Sequence, residues 1–318
     1  KEGSTTTTAQ VIYDIVRKLK TGSSIHLTLK ENNRLKLVSG KSDFNLTCIS
    51  ADEFPILEDN IEEEFVEIPS YELLKLINKT KFSISNDETR HYLSGIFLHF
   101  TSGDDKNFLT AVSTDSHRMS ISKMRLEKPI NFEPIILPKK TIFQLCSILE
   151  NNQGKIKVSN SKTKIKISMD DSVLISKVID GKFPDYKKVV PTSNDKILTV
   201  PSKDFVSSIE RVASVSLDRK EGVKLAINKD NVQLSVNSAN SGDGNEKIKA
   251  EFSSDNLNIS FNSKYLIDIA SEIEDKNLKT LFNHHDVENI FSGPGFLTVT
   301  KKDNFLWENI LQDIDSQN

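Results

Sequence analysis

The sequence predicts an α+β protein assembled from repeated units, each with one helix and about four antiparallel strands. Three observations support this fold class. A strand-to-helix junction recurs along the 318-residue chain, its copies are almost evenly spaced, and short runs of alternating apolar and polar residues lie between them. Helices and antiparallel strands mixed in this way indicate layers of helix on sheet.

The junction is clearest in residues 135–149, which read IILPKKTIFQLCSIL. Three extended apolar residues precede Pro138, which has no N–H for a strand ladder and suits the first turn of a helix. Apolar residues then recur at the spacing of one helix face, namely Ile142, Phe143, Leu145, Cys146 and Leu149. A strand is therefore predicted to end, and a helix to begin, at Pro138.

The same pattern surrounds four other positions. Strands that lead into helices are predicted at Pro69, Pro201 and Asn262, whereas the copy at Thr8 is predicted to lack its leading strand. The five positions are separated by roughly 60 to 70 residues, an internal repeat of supersecondary size. Chance recurrence is the alternative, because boundaries of this kind are common, but near-equal intervals make it the weaker explanation.

Turn signals place the other elements in order. A helix over residues 9–20 precedes a hairpin that turns at residues 31–33, and an acidic segment at residues 58–67 indicates a domain boundary. Another hairpin is predicted to turn at residues 102–105. The fourth helix is predicted to continue to about Leu217.

Composition narrows the range of functions. Charged residues make up 27% of the chain, the net charge is −3, and no apolar run approaches the roughly 18 residues of a membrane span. Cys48 and Cys146 are predicted to be free thiols, which fits a reducing cytoplasm. Four of the five predicted helices are nevertheless net positive, which indicates either contact with phosphates or simply solvated lysines.

No catalytic or metal site is predicted. Asp115, Ser116 and His117 have the residue types of a hydrolytic triad, but successive side chains on an extended segment point to opposite faces and do not converge. His284 and His285 lack a third spaced ligand, and no glycine-rich loop precedes a helix as phosphate binding requires. The sequence therefore predicts a protein that is not an enzyme and needs no cofactor or metal.

Two segments point to a family. Residues 114–119, TDSHRM, and residues 180–186, DGKFPDY, together with the repeat, resemble the bacterial sliding clamps, the beta subunits of DNA polymerase III. The resemblance runs from about Gly3 to about Leu281, and it implies the DNA-clamp (processivity fold) architecture of three domains with the first one truncated. By this correspondence residues 1–62 are the second half of clamp domain 1, residues 63–192 are clamp domain 2, and residues 193–318 are clamp domain 3 with an atypical C-terminus.

The resemblance also implies a function. Two clamp chains form a homodimeric ring that encircles double-stranded DNA without reading its sequence and tethers the replicative DNA polymerase for processive synthesis. The clamp loader and other proteins with clamp-binding motifs are the further partners that it implies, with no membrane and a cytoplasmic location. The alternative is a diverged clamp-like scaffold that binds protein partners without encircling DNA.

The resemblance assigns three groups of site residues. The DNA-facing residues are Arg90, Tyr92, Lys139 and Lys140. The pocket for partner peptides comprises Leu93, Thr114, His117, Arg118, Met119, Pro184, Lys188 and Val189. The dimer interface pairs Phe44 and Leu46 of one chain with Ser214 and Val215 of the other. Ser116 stands where the family usually has glycine, and Lys188 where it usually has arginine.

The C-terminal segment departs from the family pattern. Family members end on a Met-Pro-Met-Arg strand whose apolar residues form the pocket floor, whereas this chain has NFLWENIL at residues 304–311 and then a polar tail. The apolar residues fit one face of a helix, namely Phe305, Leu306, Ile310, Leu311 and Ile314. The segment is expected either to cover the pocket or to hang free.

Overall fold

The computed structural model describes residues 3–55, 64–103, 106–170, 172–190, 196–216, 222–273, 277–282, 287–293 and 296–301, with the backbone alone for residue 277 and for those after 278. Two compact units can be separated, Lys1–Asn60 (unit 1) and Ile61–Asn318 (unit 2). The predicted helical face at residues 305–314 and the histidine pair at 284 and 285 lie outside the described residues.

All five predicted helix starts are confirmed. The capping residues are Thr8, Pro69, Pro138, Pro201 and Asn262. The helices that follow them are α1 (Ala9–Lys18), α2 (Ser70–Lys81), α3 (Lys139–Leu149), α4 (Ser202–Ala213) and α5 (Ser263–Ser271). Each proline is the residue just before the first turn, where its missing N–H costs no helical hydrogen bond. None of the described helices is long and apolar enough to cross a lipid bilayer.

Unit 1 combines α1 with a four-stranded antiparallel sheet. Its strands are β1 (Thr6–Thr7), β2 (His26–Lys30), β3 (Arg34–Ser39) and β4 (Ser42–Ile49). The strand order across the sheet is β1-β4-β3-β2. Leu35, Leu46 and Cys48 form a small core against which Ile12 and Ile15 of α1 pack, because alternate residues of a strand point to one face.

The described residues of unit 2 form the other four helices and three antiparallel sheets. Its strands are β5 (Val66–Pro69), β6 (Gly95–Gly103), β7 (Lys106–Thr114), β8 (Arg118–Leu126), β9 (Ile135–Pro138), β10 (Lys155–Asn160), β11 (Lys164–Ser168), β12 (Val173–Lys177), β13 (Lys196–Pro201), β14 (Gly222–Ile227), β15 (Asn231–Ser238), β16 (Gly242–Lys249), β17 (Glu251–Phe252), β18 (Leu257–Asn262), β19 (Asn277–Phe282), β20 (Val287–Gly293) and β21 (Phe296–Lys301). Two sheets have four strands, in the orders β12-β11-β10-β5 and β16-β15-β14-β18. The third has nine strands, in the order β17-β13-β19-β20-β21-β8-β7-β6-β9.

The nine-stranded sheet joins strands from the first and the last parts of the described unit 2. Strand β21 pairs with β8, so that Val299 lies opposite Met119. One apolar core lies under α2 and α3 and includes Leu98, and a second lies under α4 and α5 and includes Val200. The predicted division between residues 192 and 193 therefore falls within one compact unit that has two cores and a shared sheet.

Three local predictions are wrong. Strand β1 does precede α1, with Thr6 opposite Ile49, and two threonines carry no apolar alternation from which it could be recognised. Helix α1 ends at Lys18 instead of residue 20, and α4 ends at Ala213 instead of near residue 217. After α4 the Ser214 hydroxyl donates to the Arg211 carbonyl at 2.6 Å, a local bond that competes with helix continuation and leaves no trace in the apolar pattern.

Candidate functional site

Three segments of unit 2 enclose a narrow cavity of about 40 Å³. They are the 3₁₀ helix Glu88–Leu93, the turn between β7 and β8, and the segment of residues 183–189, which includes the 3₁₀ helix Tyr186–Val189. The cavity is lined by Arg90, Tyr92, Leu93, Thr114, Ser116, Met119, Phe183, Pro184, Asp185, Tyr186 and Val189.

The wall of the cavity is largely apolar. Leu93 and Met119 are 3% and 2% exposed, and they share one buried cluster with Val112, Phe183 and Tyr186. This cluster is separate from the core under α2 and α3. Because its members are already buried, they form a wall shaped by packing, and an apolar side chain entering the cavity would contact mainly apolar surface there.

The turn between β7 and β8 is held by its own side chains. The Asp115 carboxylate accepts the His117 N–H at 3.0 Å and the Arg118 N–H at 2.9 Å. The Thr114 hydroxyl donates to the Arg118 carbonyl at 2.8 Å. This geometry keeps Ser116 at a φ of +73°, the left-handed region that favours glycine. The backbone therefore has the conformation of the usual glycine, and a hydroxyl is added to the cavity lining.

A charged group joins two of the segments. Arg90 donates through Nη1 to the Ser116 hydroxyl and through Nε to the Asp87 carboxylate, the latter at 2.8 Å. Hydrogen bonds from Thr89, and then from Arg90, hold the pKa of Asp87 below its usual value. The carboxylate is thus ionised at neutral pH, and the guanidinium bridges the 3₁₀ helix and the turn beside the apolar wall.

Five of the eight predicted pocket residues line this cavity, namely Leu93, Thr114, Met119, Pro184 and Val189. The other three do not. His117 is exposed, with its ring centroid 6.3 Å from that of Tyr265. Lys188 is also exposed, and its ammonium lies 3.8 Å from the Asp185 carboxylate.

Arg118 is the third residue outside the lining, and it is only 4% exposed. Its Nε lies 3.2 Å from the Asp115 carboxylate, its Nη1 lies 2.9 Å from the Asp268 carboxylate on α5, and its Nη2 donates to the Phe82 carbonyl at 2.7 Å. The Nη1–Asp268 contact is an ion pair without hydrogen-bond alignment. Consecutive strand residues point to opposite faces, so Met119 faces the cavity while Arg118 joins the turn to α5.

Sequence reasoning missed four lining residues, which are Ser116, Phe183, Asp185 and Tyr186. All four belong to the two segments that carry the family resemblance, which is the signal that could have found them. Arg90 and Tyr92, predicted to face DNA, also line the cavity. Their contact with DNA stays a prediction.

Lys139 and Lys140, the other predicted DNA-facing residues, are the first two residues of α3. The Lys139 ammonium donates to the Asn86 side chain and lies 6.0 Å from the Phe143 ring centroid, whereas Lys140 is exposed. Positive charge at a helix N-terminus opposes the helix dipole by roughly 0.3–1 kcal/mol per charge. Helix stability therefore does not explain these two lysines.

The predicted dimer residues lie in both units. Leu46 is 8% exposed in the core of unit 1, and Phe44 packs against the same core. Ser214 is the exposed C-cap of α4, and Val215 is half-buried next to it. Their contact across a dimer stays a prediction.

The fold consists of repeated helix-and-sheet units, and an apolar cavity lies between three chain segments with ionic groups beside it. These features define a binding protein of the DNA-clamp class. Comparison with known protein families agrees. The N-terminal, central and C-terminal domains of the DNA polymerase III beta subunit match residues 1–58, 67–185 and 187–288.

Relatives of known name support the same assignment. The chain is 34% identical over 273 residues to the beta sliding clamp of Caulobacter vibrioides (strain NA1000 / CB15N). The matched stretch covers 85% of this chain and 73% of that protein. The chain is 28% identical over 279 residues to the beta sliding clamp of Escherichia coli (strain K12), and this match covers 88% of this chain and 75% of that protein.

Solved clamp structures share the fold. The crystal structure of the Caulobacter crescentus beta sliding clamp has a TM-score of 0.90 at 32% identity, covering 94% of this chain and 81% of that chain. The Bartonella birtlesii sliding clamp bound to griselimycin has a TM-score of 0.87 at 35% identity, covering 95% of this chain and 82% of that chain. The chain belongs to the family of bacterial DNA polymerase III beta subunits, the beta sliding clamps.

This membership confirms the predicted fold class and the predicted function. The protein is a DNA sliding clamp that tethers the polymerase, a processivity factor and not an enzyme. Its family binds DNA and polymerase partners and forms dimers. The alternative of a scaffold that no longer encircles DNA is not favoured.

Proposed function

We propose that the cavity at Leu93, Met119, Pro184 and Val189 is where this clamp captures an apolar side chain of an extended partner segment. The observation that carries the proposal is the apolar wall built from three separate segments, with the Arg90–Ser116 hydrogen bond beside it. Apolar anchors that enter desolvated pockets dominate the energy of such interfaces. The replicative polymerase, the clamp loader and other proteins with clamp-binding motifs are the partners expected there.

Lys139 and Lys140 supply DNA-facing charge in this proposal. Both lie in the first turn of α3, where the positive end of the helix dipole adds to their attraction for phosphate. Such contacts carry no sequence information, so the duplex is held without being fixed in register. Arg90 and Tyr92 line the cavity, so the proposal places DNA next to one edge of it.

The chain assembles as a homodimer in this function. Phe44 and Leu46 of one protomer meet Ser214 and Val215 of its partner, and a head-to-tail contact made twice closes a ring. Residues 1–62, 63–192 and 193–318 are its three domain portions, in line with the two apolar cores of unit 2. The cytoplasm is its compartment.

Val189→Asp tests the pocket. Val189 is half-buried in the lining, so a carboxylate there would be desolvated by a bound apolar anchor without being forced into the core. Calorimetry with a synthetic peptide carrying the clamp-binding segment of the replicative polymerase should show about 30-fold weaker binding, which corresponds to roughly 2 kcal/mol.

Val173→Asp is the matched control, because Val173 is 56% exposed on β12 and does not line the cavity. The control should bind the peptide as the unmodified chain does. Equal affinities of the two variants would refute the assignment of the pocket.

A further inference from the structure

His99 lies on β6, directly behind the cavity wall, and is 7% exposed. Its side chain and that of Phe97 point to the face of β6 opposite Leu98, which belongs to the core under α2 and α3. The Phe97 ring stacks on the His99 ring, with centroids 4.7 Å apart, and on the Phe183 ring, with centroids 4.9 Å apart. The segment of residues 183–189 therefore rests on a layer of rings that β6 supplies.

Hydrogen bonds orient the His99 ring in one way. Its Nδ1 lies 3.2 Å from the Phe100 carbonyl, and its Nε2 lies 3.0 Å from the Tyr186 hydroxyl. A carbonyl can only accept, so Nδ1 carries the proton, and Nε2 of the neutral ring accepts. Burial raises the pKa of Tyr186 to about 12, so its hydroxyl is protonated and donates to Nε2.

Tyr186 connects this bond to the cavity. Tyr186 lines the cavity, and its hydroxyl is held by His99. It is also the buried residue of the 3₁₀ helix Tyr186–Val189. A helix of one turn has almost no intrinsic stability, so its place depends on side-chain packing, to which Tyr186 contributes the buried residue of the turn.

We propose that His99 is a positioning residue of the pocket, which fixes Tyr186 and thereby holds the wall of residues 183–189 in the shape that receives a partner's apolar anchor. The proposal rests on the proposed function of the cavity. His99 itself does not line the cavity. It acts through Tyr186 and determines how well the wall is formed before a partner arrives, and a preformed wall lowers the ordering cost of binding.

The charge state of His99 supports this role. Burial lowers its pKa, the hydrogen bond to the Phe100 carbonyl offsets part of this effect, and repulsion from Lys187 and Lys123 lowers the pKa further. The ring is therefore neutral near pH 7, the form in which Nε2 can accept. Protonation would make both ring nitrogens donors, so the Tyr186 hydroxyl would have to rotate its proton away and accept instead. It would also place a positive charge near the two lysines.

Four variants test the proposal by peptide calorimetry, with thermal unfolding measured in parallel. His99→Leu and Tyr186→Phe each break the hydrogen bond and leave its other partner unsatisfied, so each should bind the polymerase-derived peptide about tenfold more weakly. The double variant should bind no more weakly than either single variant, because both remove the same bond. His99→Gln, whose amide oxygen can accept from Tyr186, should restore affinity to within about twofold.

Thr101→Val is the matched control. Thr101 lies on the same face of β6 and shares a 2.7 Å hydroxyl–hydroxyl hydrogen bond with Thr110, so its loss affects stability without touching the wall. It should leave peptide affinity unchanged. Unchanged affinity in His99→Leu, with Val189→Asp still disruptive, would overturn the role of His99 alone. If Val189→Asp also bound normally, the pocket assignment would fail and this proposal with it.

The pH profile separates positioning from general stabilisation. The pKa of His99 is lowered in the folded protein. The stabilisation that the neutral ring contributes is therefore complete above the usual histidine pKa of 6.5 and is lost as the pH falls. Peptide affinity of the unmodified chain should therefore decrease on acidification, and that of His99→Gln should decrease less. Identical profiles would count against the proposal.

Discussion

Arg118→Met should lower the free energy of unfolding by about 3 kcal/mol. The Arg118 side chain is 5% exposed, and its two carboxylate partners, Asp115 and Asp268, are 17% and 25% exposed. Removing one partner of a buried pair costs roughly 3–5 kcal/mol. The lower end is expected because Asp115 keeps two backbone N–H donors, and because both carboxylates stay partly exposed to water.

A double-mutant cycle with Asp268→Asn isolates the contact between β8 and α5. Both single variants remove the ion pair, so the double variant should be more stable than the sum of the single effects predicts, by about 1–3 kcal/mol. Urea unfolding followed by circular dichroism measures all four proteins. Arg125→Met, at an exposed arginine on the same strand, should change stability by no more than about 0.5 kcal/mol.

Additive effects in this cycle, or an Arg118→Met that matches Arg125→Met, would refute the idea that Arg118 links the turn to α5. Peptide affinity supplies a second criterion. Because Arg118 does not line the cavity, the folded Arg118→Met variant should still bind the polymerase-derived peptide. Loss of peptide binding without loss of stability would show that Arg118 belongs to the pocket.

Three further predictions follow from charge and exposure. Lys139→Glu with Lys140→Glu should weaken binding to every duplex sequence alike and reduce its salt dependence, measured by fluorescence anisotropy; a sequence-specific loss would contradict phosphate contact. Phe44→Asp and Ser214→Arg should each give monomers in sedimentation, and Ser214→Arg is the cleaner test because Ser214 is exposed and arginine suits a helix C-terminus. Hydrogen bonds from Arg211 and then Ser208 lower the pKa of Glu246 from its usual value of 4.5 to about 2. The ionised Glu246 carboxylate therefore stabilises the folded protein fully above pH 4.5, and this stabilisation is lost as the pH falls towards about 2. Glu246→Gln should reduce the acid sensitivity of thermal unfolding, and an unchanged pH profile would contradict this.

The positions of the helices could be predicted because their signals are local. Pro69, Pro138 and Pro201 lack the N–H that a strand ladder needs, and Asn262 accepts a 3.0 Å hydrogen bond from the Lys264 N–H. Each signal acts within a few residues of the helix it begins. The ends of the helices were less predictable, since Ser214 ends α4 through a side-chain bond that hydrophobic periodicity does not register.

The candidate site could be predicted only in part. Leu93, Thr114, Met119, Pro184 and Val189 were assigned through the resemblance, and they line one cavity. Arg118 was assigned with them, yet it lies on the other face of the sheet, next to Asp268. Adjacent positions in a motif separate in this way because strand residues alternate between faces, and only the pairing of β8 decides which residue faces the cavity.

By itself the sequence determined the repeat, the helix starts, the two family segments and the serine at a position that is usually glycine. The tertiary structure decided which side chains meet. His99 and Tyr186 are 87 positions apart, and nothing near either residue predicts their hydrogen bond. Local propensities are encoded within a few neighbouring residues, whereas contacts between distant residues depend on strand register and on how segments pack over the sheet.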